Sequence, residues 1–134
     1  MFLFFILIST LVSCVKINNW GHKSITIVNK SSEKVIIAGD LRDYLLCPTS
    51  KDTIRYSKYL YPNDSTLFKV PAYENSNWEL RLNDTSRKWY VTFFKLDIYL
   101  NNPCDTLNKY KLYEKQVQIS LDSMIKNNWT VSYP

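Results

Sequence analysis

The sequence predicts a mainly β fold with minor α content: a single-domain antiparallel β-sandwich, or a curled sheet, with one or two short helices. Three observations lead there. Short runs alternate apolar and polar residues between clusters of Asn, Asp, Ser and Pro, the pattern of half-buried strands and their turns. The run Lys88–Tyr99, KWYVTFFKLDIY, is apolar on both faces, as a strand covered on both sides must be. The chain has 134 residues, without repeats or low-complexity tracts, which suits one domain that buries roughly two-thirds of its unfolded surface.

The elements follow in order. Ser24–Asn29 alternates, with Ile25 and Ile27 on one face; NKSSE turns the chain, and KVIIA from Lys34 to Ala38 follows, so the pair is predicted to be a hairpin. Gly39–Pro62 is long and irregular. Asn63-Asp64 turns into a strand over Ser65–Val70, which Pro71 stops. Trp78–Leu82 suits a short helix. In Lys88–Tyr99, Trp89, Val91 and Phe93 face one side, and Tyr90, Phe94, Leu96 and Ile98 the other. Asn101-Asn102-Pro103 ends that run, and Asp105 can cap a single turn through Tyr110. Tyr113–Ile119 alternates again, with Val117 and Ile119 inward. Ser120 is an N-cap for a helix that sets Leu121, Met124 and Ile125 on one face, and Asn127-Asn128 suits its end. Trp129, Val131 and Tyr133 alternate with Thr130 and Ser132 in a terminal strand that completes a sheet.

Ahead of these elements lies MFLFFILISTLVSC. The apolar run from Met1 to Val12 is too short to span a bilayer, which takes about 20 residues. Leu11-Val12-Ser13-Cys14 resembles the lipobox of bacterial lipoproteins: a branched aliphatic residue, a tolerant position, a small residue, then cysteine. The resemblance implies that residues 1–13 are a signal peptide, that Cys14 is lipidated, and that the mature chain hangs from a membrane by two or three acyl chains, each buried methylene contributing about 0.8 kcal/mol. The chain departs from the pattern in one respect, since no Lys or Arg precedes Cys14. Residues 14–23 are polar and aperiodic, and are expected to be a tether in which His22 is a solvated linker residue. Residues 24–134 form the β-rich domain. Lipoproteins exported to the cell surface in Bacteroidota-type bacteria tend to carry acids just after the cysteine. Val15, Lys16 and Ile17 do not, which points to the periplasmic face of the outer membrane.

Charge and composition exclude more than they assign. The net charge is +5, but the bases are scattered, and Lys69, Lys88, Lys95 and Lys115 fall at solvated strand positions, so no nucleic-acid partner is expected. With Gly21 and Gly39 alone, no glycine-rich phosphate loop or nucleophile elbow can form. With His22 alone, no site of two histidine ligands can form, and no metal or cofactor is expected. The acids Asp40 and Asp43, or Glu74 and Glu79, could converge on a sugar bond, but nothing in their spacing demands it. The chain is not expected to be an enzyme.

Two cysteines remain beyond the lipidation residue. Cys47 and Cys104 sit in turn-like contexts, LLCPTS and NPCDT. A disulfide between them would stabilise by roughly 4 kcal/mol on the chain-entropy estimate; two unpaired thiols are the other reading. RYSKYLYP gathers Arg55, Tyr56, Tyr59 and Tyr61 into a candidate patch for a ligand or partner; the same rings could instead pack the loop onto the sheet. Asp precedes Ser or Thr more often than this composition gives by chance. Four such sites continue with an aliphatic, Met or Thr residue and resemble the O-glycosylation motif of exported Bacteroidota proteins, with acceptors Thr53, Ser65, Thr106 and Ser123. Caps and turns enrich the same residue types for their own hydrogen bonds.

SITIVNKSSEKVII, PNDSTLF, YVTFFKLDIY and SLDSMIKNNWTVSYP together resemble a group of small Bacteroidota lipoproteins to which no activity is assigned. The resemblance implies location and a β-rich fold, and no catalytic residues. The function expected is that of a lipid-anchored envelope protein of non-catalytic role, binding a protein partner or structural at the outer membrane. The alternative is a glycan- or small-ligand-binding module that uses the aromatic patch.

Overall fold

The computed structural model describes residues 21–38, 57–70 and 76–134. Seven strands and four short helices follow one another among them. They are β1 (Ser24–Asn29), β2 (Val35–Ala38), β3 (Ser57–Leu60), β4 (Ser65–Lys69), α1 (Trp78–Asn83), β5 (Trp89–Lys95), α2 (Leu96–Asn101), α3 (Cys104–Tyr110), β6 (Lys115–Ile119), α4 (Leu121–Lys126) and β7 (Thr130–Tyr133). The strands form two sheets, one ordered β4-β1-β7 and the other β3-β2-β5-β6.

The two sheets face each other across one apolar core. Ile25 and Ile27 of β1, Phe68 of β4, and Val131 and Tyr133 of β7 meet Val35 and Ile37 of β2, Leu60 of β3, Val91 and Phe93 of β5, and Ile119 of β6. The rings of Phe93 and Tyr133 stack across the gap with centroids 5.0 Å apart. Burial pushes the Tyr133 hydroxyl above the usual phenol range, helped by the charges of Glu114 and Glu33. Trp78 and Met124, from α1 and α4, close one end of this core. A smaller cluster lies on the outer face of the larger sheet. There Ile36, Ala38 and Phe94 are covered by Leu107 of α3 and by Leu96, Ile98 and Tyr99 of α2. This second cover is why β5 is apolar on both faces, as its sequence requires.

The mainly β, sheet-rich single domain agrees with the sequence, but the described residues hold four short helices where the sequence predicts one or two, one strand pair (β1 with β7) is parallel rather than antiparallel, and three further details differ. First, SITIVN and KVIIA are strands but not a hairpin. β1 pairs with β4 and β7, while β2 pairs with β3 and β5, so residues 30–34 cross from one sheet to the other. The cause is Asn29, which is fully buried. Its side-chain amide donates to the carbonyls of Glu33 (2.7 Å), Leu60 (3.1 Å) and Tyr61 (3.2 Å), and its side-chain oxygen accepts from the backbone and hydroxyl of Ser31. These bonds tie the end of β1 to residues 31–33 and to the end of β3. Second, Lys88–Tyr99 does not run straight: β5 ends at Lys95, and Leu96 begins α2. Third, Ser57–Leu60 is a strand rather than part of an irregular stretch.

The terminal strand completes a sheet, and it does so parallel to β1, in the register Thr26↔Thr130 to Asn29↔Tyr133. The helix before it begins as its sequence indicates. Ser120 accepts from the Ser123 amide, and the Ser123 hydroxyl accepts from the Ser120 amide, which closes a capping box. Met124 is buried, while Ile125, expected on the same face, is 62% exposed.

Candidate functional site

Strand directions sort the molecule into two poles. β1 rises from Ser24 to Asn29, over roughly 20 Å for its six residues. The near pole gathers the start of β1, the end of β4, the starts of β5 and β7, the end of β6, and helices α1 and α4. The far pole gathers residues 30–34, residues 61–64, the end of β7 and the start of β6.

At the far pole sits part of the aromatic patch. Tyr59 lies on β3 opposite Ile36, and Tyr61 follows the strand. Both therefore project on the outer face of the larger sheet, the face that carries Lys34. Lys34 Nζ lies 4.5 Å from the Tyr59 ring centroid and 4.4 Å from that of Tyr61, and donates to the Tyr61 hydroxyl at 3.3 Å. The cation thus rests between two aromatic faces, a geometry in which ring quadrupole and charge attract. Tyr59 and Tyr61 are 41% and 57% exposed. The bonds of Asn29 to Leu60 and Tyr61 fix the backbone that carries both rings. Sequence reasoning missed Lys34; the signal was present only in the pairing Val35↔Leu60, which sets Lys34 opposite Tyr61. Beside the patch, Lys58 lies 5.2 Å from the Phe68 ring and donates to the Leu67 carbonyl, so it joins β3 to β4. Arg55 and Tyr56 lie outside the described residues.

The near pole holds the incoming chain. Gly21 packs so tightly on Asn77 that a Cβ there would collide with the asparagine side chain. Asn77 is itself the N-cap of α1 and accepts from the Leu80 amide. His22 is not a solvated linker residue. Its ring stacks on Trp129 with centroids 3.9 Å apart and planes 15° from parallel. Its backbone amide donates to both oxygens of Glu79, and Nδ1 lies 2.6 Å from Glu79 Oε1. An ionised carboxylate can only accept, so Nδ1 carries a proton. Burial opposes ionisation of Glu79, but the hydrogen bonds and charge of His22, with the helix backbone, hold its carboxyl below the usual range. The His22 carbonyl in turn accepts from the Trp78 amide at 2.9 Å. Trp129 meets this stack from a left-handed backbone, at φ 56°, directly after Asn128 at φ 49°. A bulky side chain there is an outlier that costs about 1–3 kcal/mol and persists only where its surroundings impose it. The imposing contacts are the Trp129 amide to the Met124 carbonyl and the Thr26 amide to the Trp129 carbonyl.

The remaining residues singled out from the sequence are dispersed. Ser65 is exposed at the far pole, Thr106 lies on α3, and the Ser123 hydroxyl is engaged in the capping box and with the Ser120 carbonyl. Cys104 begins α3 and is disulfide-bonded. Cys14, Cys47, Thr53, Asp40, Asp43 and Glu74 lie outside the described residues. No group of three His, Cys, Asp or Glu side chains that could hold a metal occurs among the described residues, and no helix among them is long and apolar enough to cross a membrane. Comparison of the chain with protein-family models, curated proteins and solved structures gives no match.

Proposed function

We propose that the chain is a lipid-anchored cell-envelope protein of non-catalytic role that holds a protein partner through its far pole. The sequence Leu11-Val12-Ser13-Cys14 carries the anchor half of this reading. The disulfide at Cys104 suits it, since such bonds persist in oxidising compartments. The partner half rests on Lys34 held between the exposed rings of Tyr59 and Tyr61, at the pole opposite the incoming chain. A patch so placed faces away from a bilayer that holds the chain by Cys14. Tyrosine is among the residues enriched at interface hot spots.

A glycan ligand is the second reading, favoured by the exposed tyrosine faces, on which a sugar ring can stack. Two experiments test the proposal. Cys14→Ala should move the protein from the membrane to the soluble fraction of its host, and the wild-type chain should incorporate labelled palmitate; a chain that never takes up the label ends the anchor reading. Tyr61→Ala with Lys34→Ala should abolish in-cell crosslinks to the partner while leaving the melting temperature within about 4 °C, since Tyr61 is exposed, Lys34 half-buried, and surface substitutions each cost about 0.5 kcal/mol. Crosslinks that survive the double variant exclude the patch, and binding of oligosaccharide in place of protein selects the second reading.

A further inference from the structure

We propose that the near pole of the sandwich is a docking surface for an anionic bilayer, so that α1 and α4 rest on lipid head groups. This deepens the anchor reading and rests on it. Cys14 lies seven residues before Gly21, and seven residues span at most roughly 25 Å. The chain meets the fold at the near pole, where Gly21 and His22 are clamped to Asn77, Glu79 and Trp129. A lipid on Cys14 therefore attaches the membrane to the fold at this pole.

The surface there has the composition such contact needs. α1 and α4 pack against each other. Each presents one large apolar residue to solvent, Leu80 and Ile125, both 62% exposed. The elements of this pole also carry, among the described residues, Lys23 next to His22, Lys69 at the end of β4, Arg81 on α1, Arg87 and Lys88 before β5, and Lys126 on α4. The acids on these elements among the described residues are Glu79, Asp84 and Asp122. Glu79 is engaged by His22, and Asp84 accepts from the amide and hydroxyl of Ser86. Among the described residues the bases carried by the elements of this pole outnumber the acids six to three. Basic residues at a membrane surface are drawn to anionic lipid, and apolar side chains among them enter the head-group boundary. Tethering supplies the high local concentration that lets so small a patch act.

The experiment uses the lipidated full chain in vesicles, once with a quarter anionic phosphatidylglycerol and once with phosphatidylcholine alone. Hydrogen exchange is followed at the amides of α1 and α4, with the turn at residues 61–64 as the far-pole control. The anionic vesicles should slow exchange in both helices on the order of tenfold, and raised salt should reverse it, while the control does not change. Leu80→Gln with Ile125→Gln should remove the slowing without releasing the protein from the vesicles. Arg87→Glu with Lys126→Glu, exposed residues outside the core, should do the same. Anchored protein whose α1 and α4 exchange alike on both vesicles, or whose far-pole turn is the protected segment, overturns the docking and leaves the anchor standing. Slowing that depends on protein concentration and not on lipid charge assigns the face to a second copy of the chain, and equally overturns it. Absence of acyl mass on Cys14 in the purified protein removes the anchor reading itself.

Discussion

Two residues decide more than their size suggests, and neither announces itself in the pattern of the chain. His22 reads as linker because it sits beside glycine in a polar stretch. Only the fold brings Glu79 and Trp129 to it. Asn29 reads as the last residue of an alternating strand. Only the fold surrounds it with three carbonyls that need a donor. The Glu79 carboxyl is held below its usual range, so its ionised form stabilises the fold fully above the ordinary carboxylate pKa of about 4.3 and loses that effect as pH falls through the lower folded value. The pair is partly exposed, and solvent screening limits it to about 0.2–1 kcal/mol. Glu79→Gln should therefore lower the melting temperature by a few degrees at pH 7, about 4 °C per kcal/mol for a domain of this size, and by less at pH 3. Thermal melts of both proteins across that range check it; a gap that widens in acid contradicts the assignment.

Among the elements, the connection from β1 to β2 shows where sequence stops short. Both strands are legible, since Ile25, Ile27, Val35 and Ile37 are fully buried as their alternation requires. Their partners are not legible, because NKSSE suits a hairpin and a crossing between sheets equally well. The side chain of Asn29 selects the crossing. Asn29→Ala leaves the carbonyls of Glu33, Leu60 and Tyr61 without its amide and should destabilise by about 3 kcal/mol, read from urea midpoints at unchanged slope. Asn29→Asp should be worse at neutral pH, since a carboxylate would face three carbonyl oxygens. The boundary between β5 and α2 was hidden for a different reason. Leu96, Ile98 and Leu100 alternate as a strand does, while Leu96 and Tyr99 also satisfy helical spacing, and a six-residue segment cannot separate the two periods. The capping box of α4 was half legible. Ser120 announced the start, but its reciprocal partner is Ser123, whose hydroxyl replaces the Glu or Gln usual there.

At the scale of the whole molecule, the sandwich was legible because its strands alternate and its central strand is apolar on both faces. The far-pole patch was legible only in part. Tyr59 and Tyr61 stand out as aromatics, but their cation comes from another strand, and the register that delivers it is set by buried contacts. Removing residues 129–134 should unfold the domain, because it strips Val131 and Tyr133 from the core and leaves one side of β1 without a ladder. Loss of the cooperative thermal transition checks this; a folded truncation would mean that β1 and β4 suffice. The parallel pairing of β1 with β7 has a temporal consequence. Among the described strands the first in the chain lies beside the last, so the smaller sheet cannot close until residues 130–133 have been synthesised. Through all of that interval the nascent chain remains an unfinished substrate, open to chaperones and to any machinery that handles polypeptide only in its unfolded form.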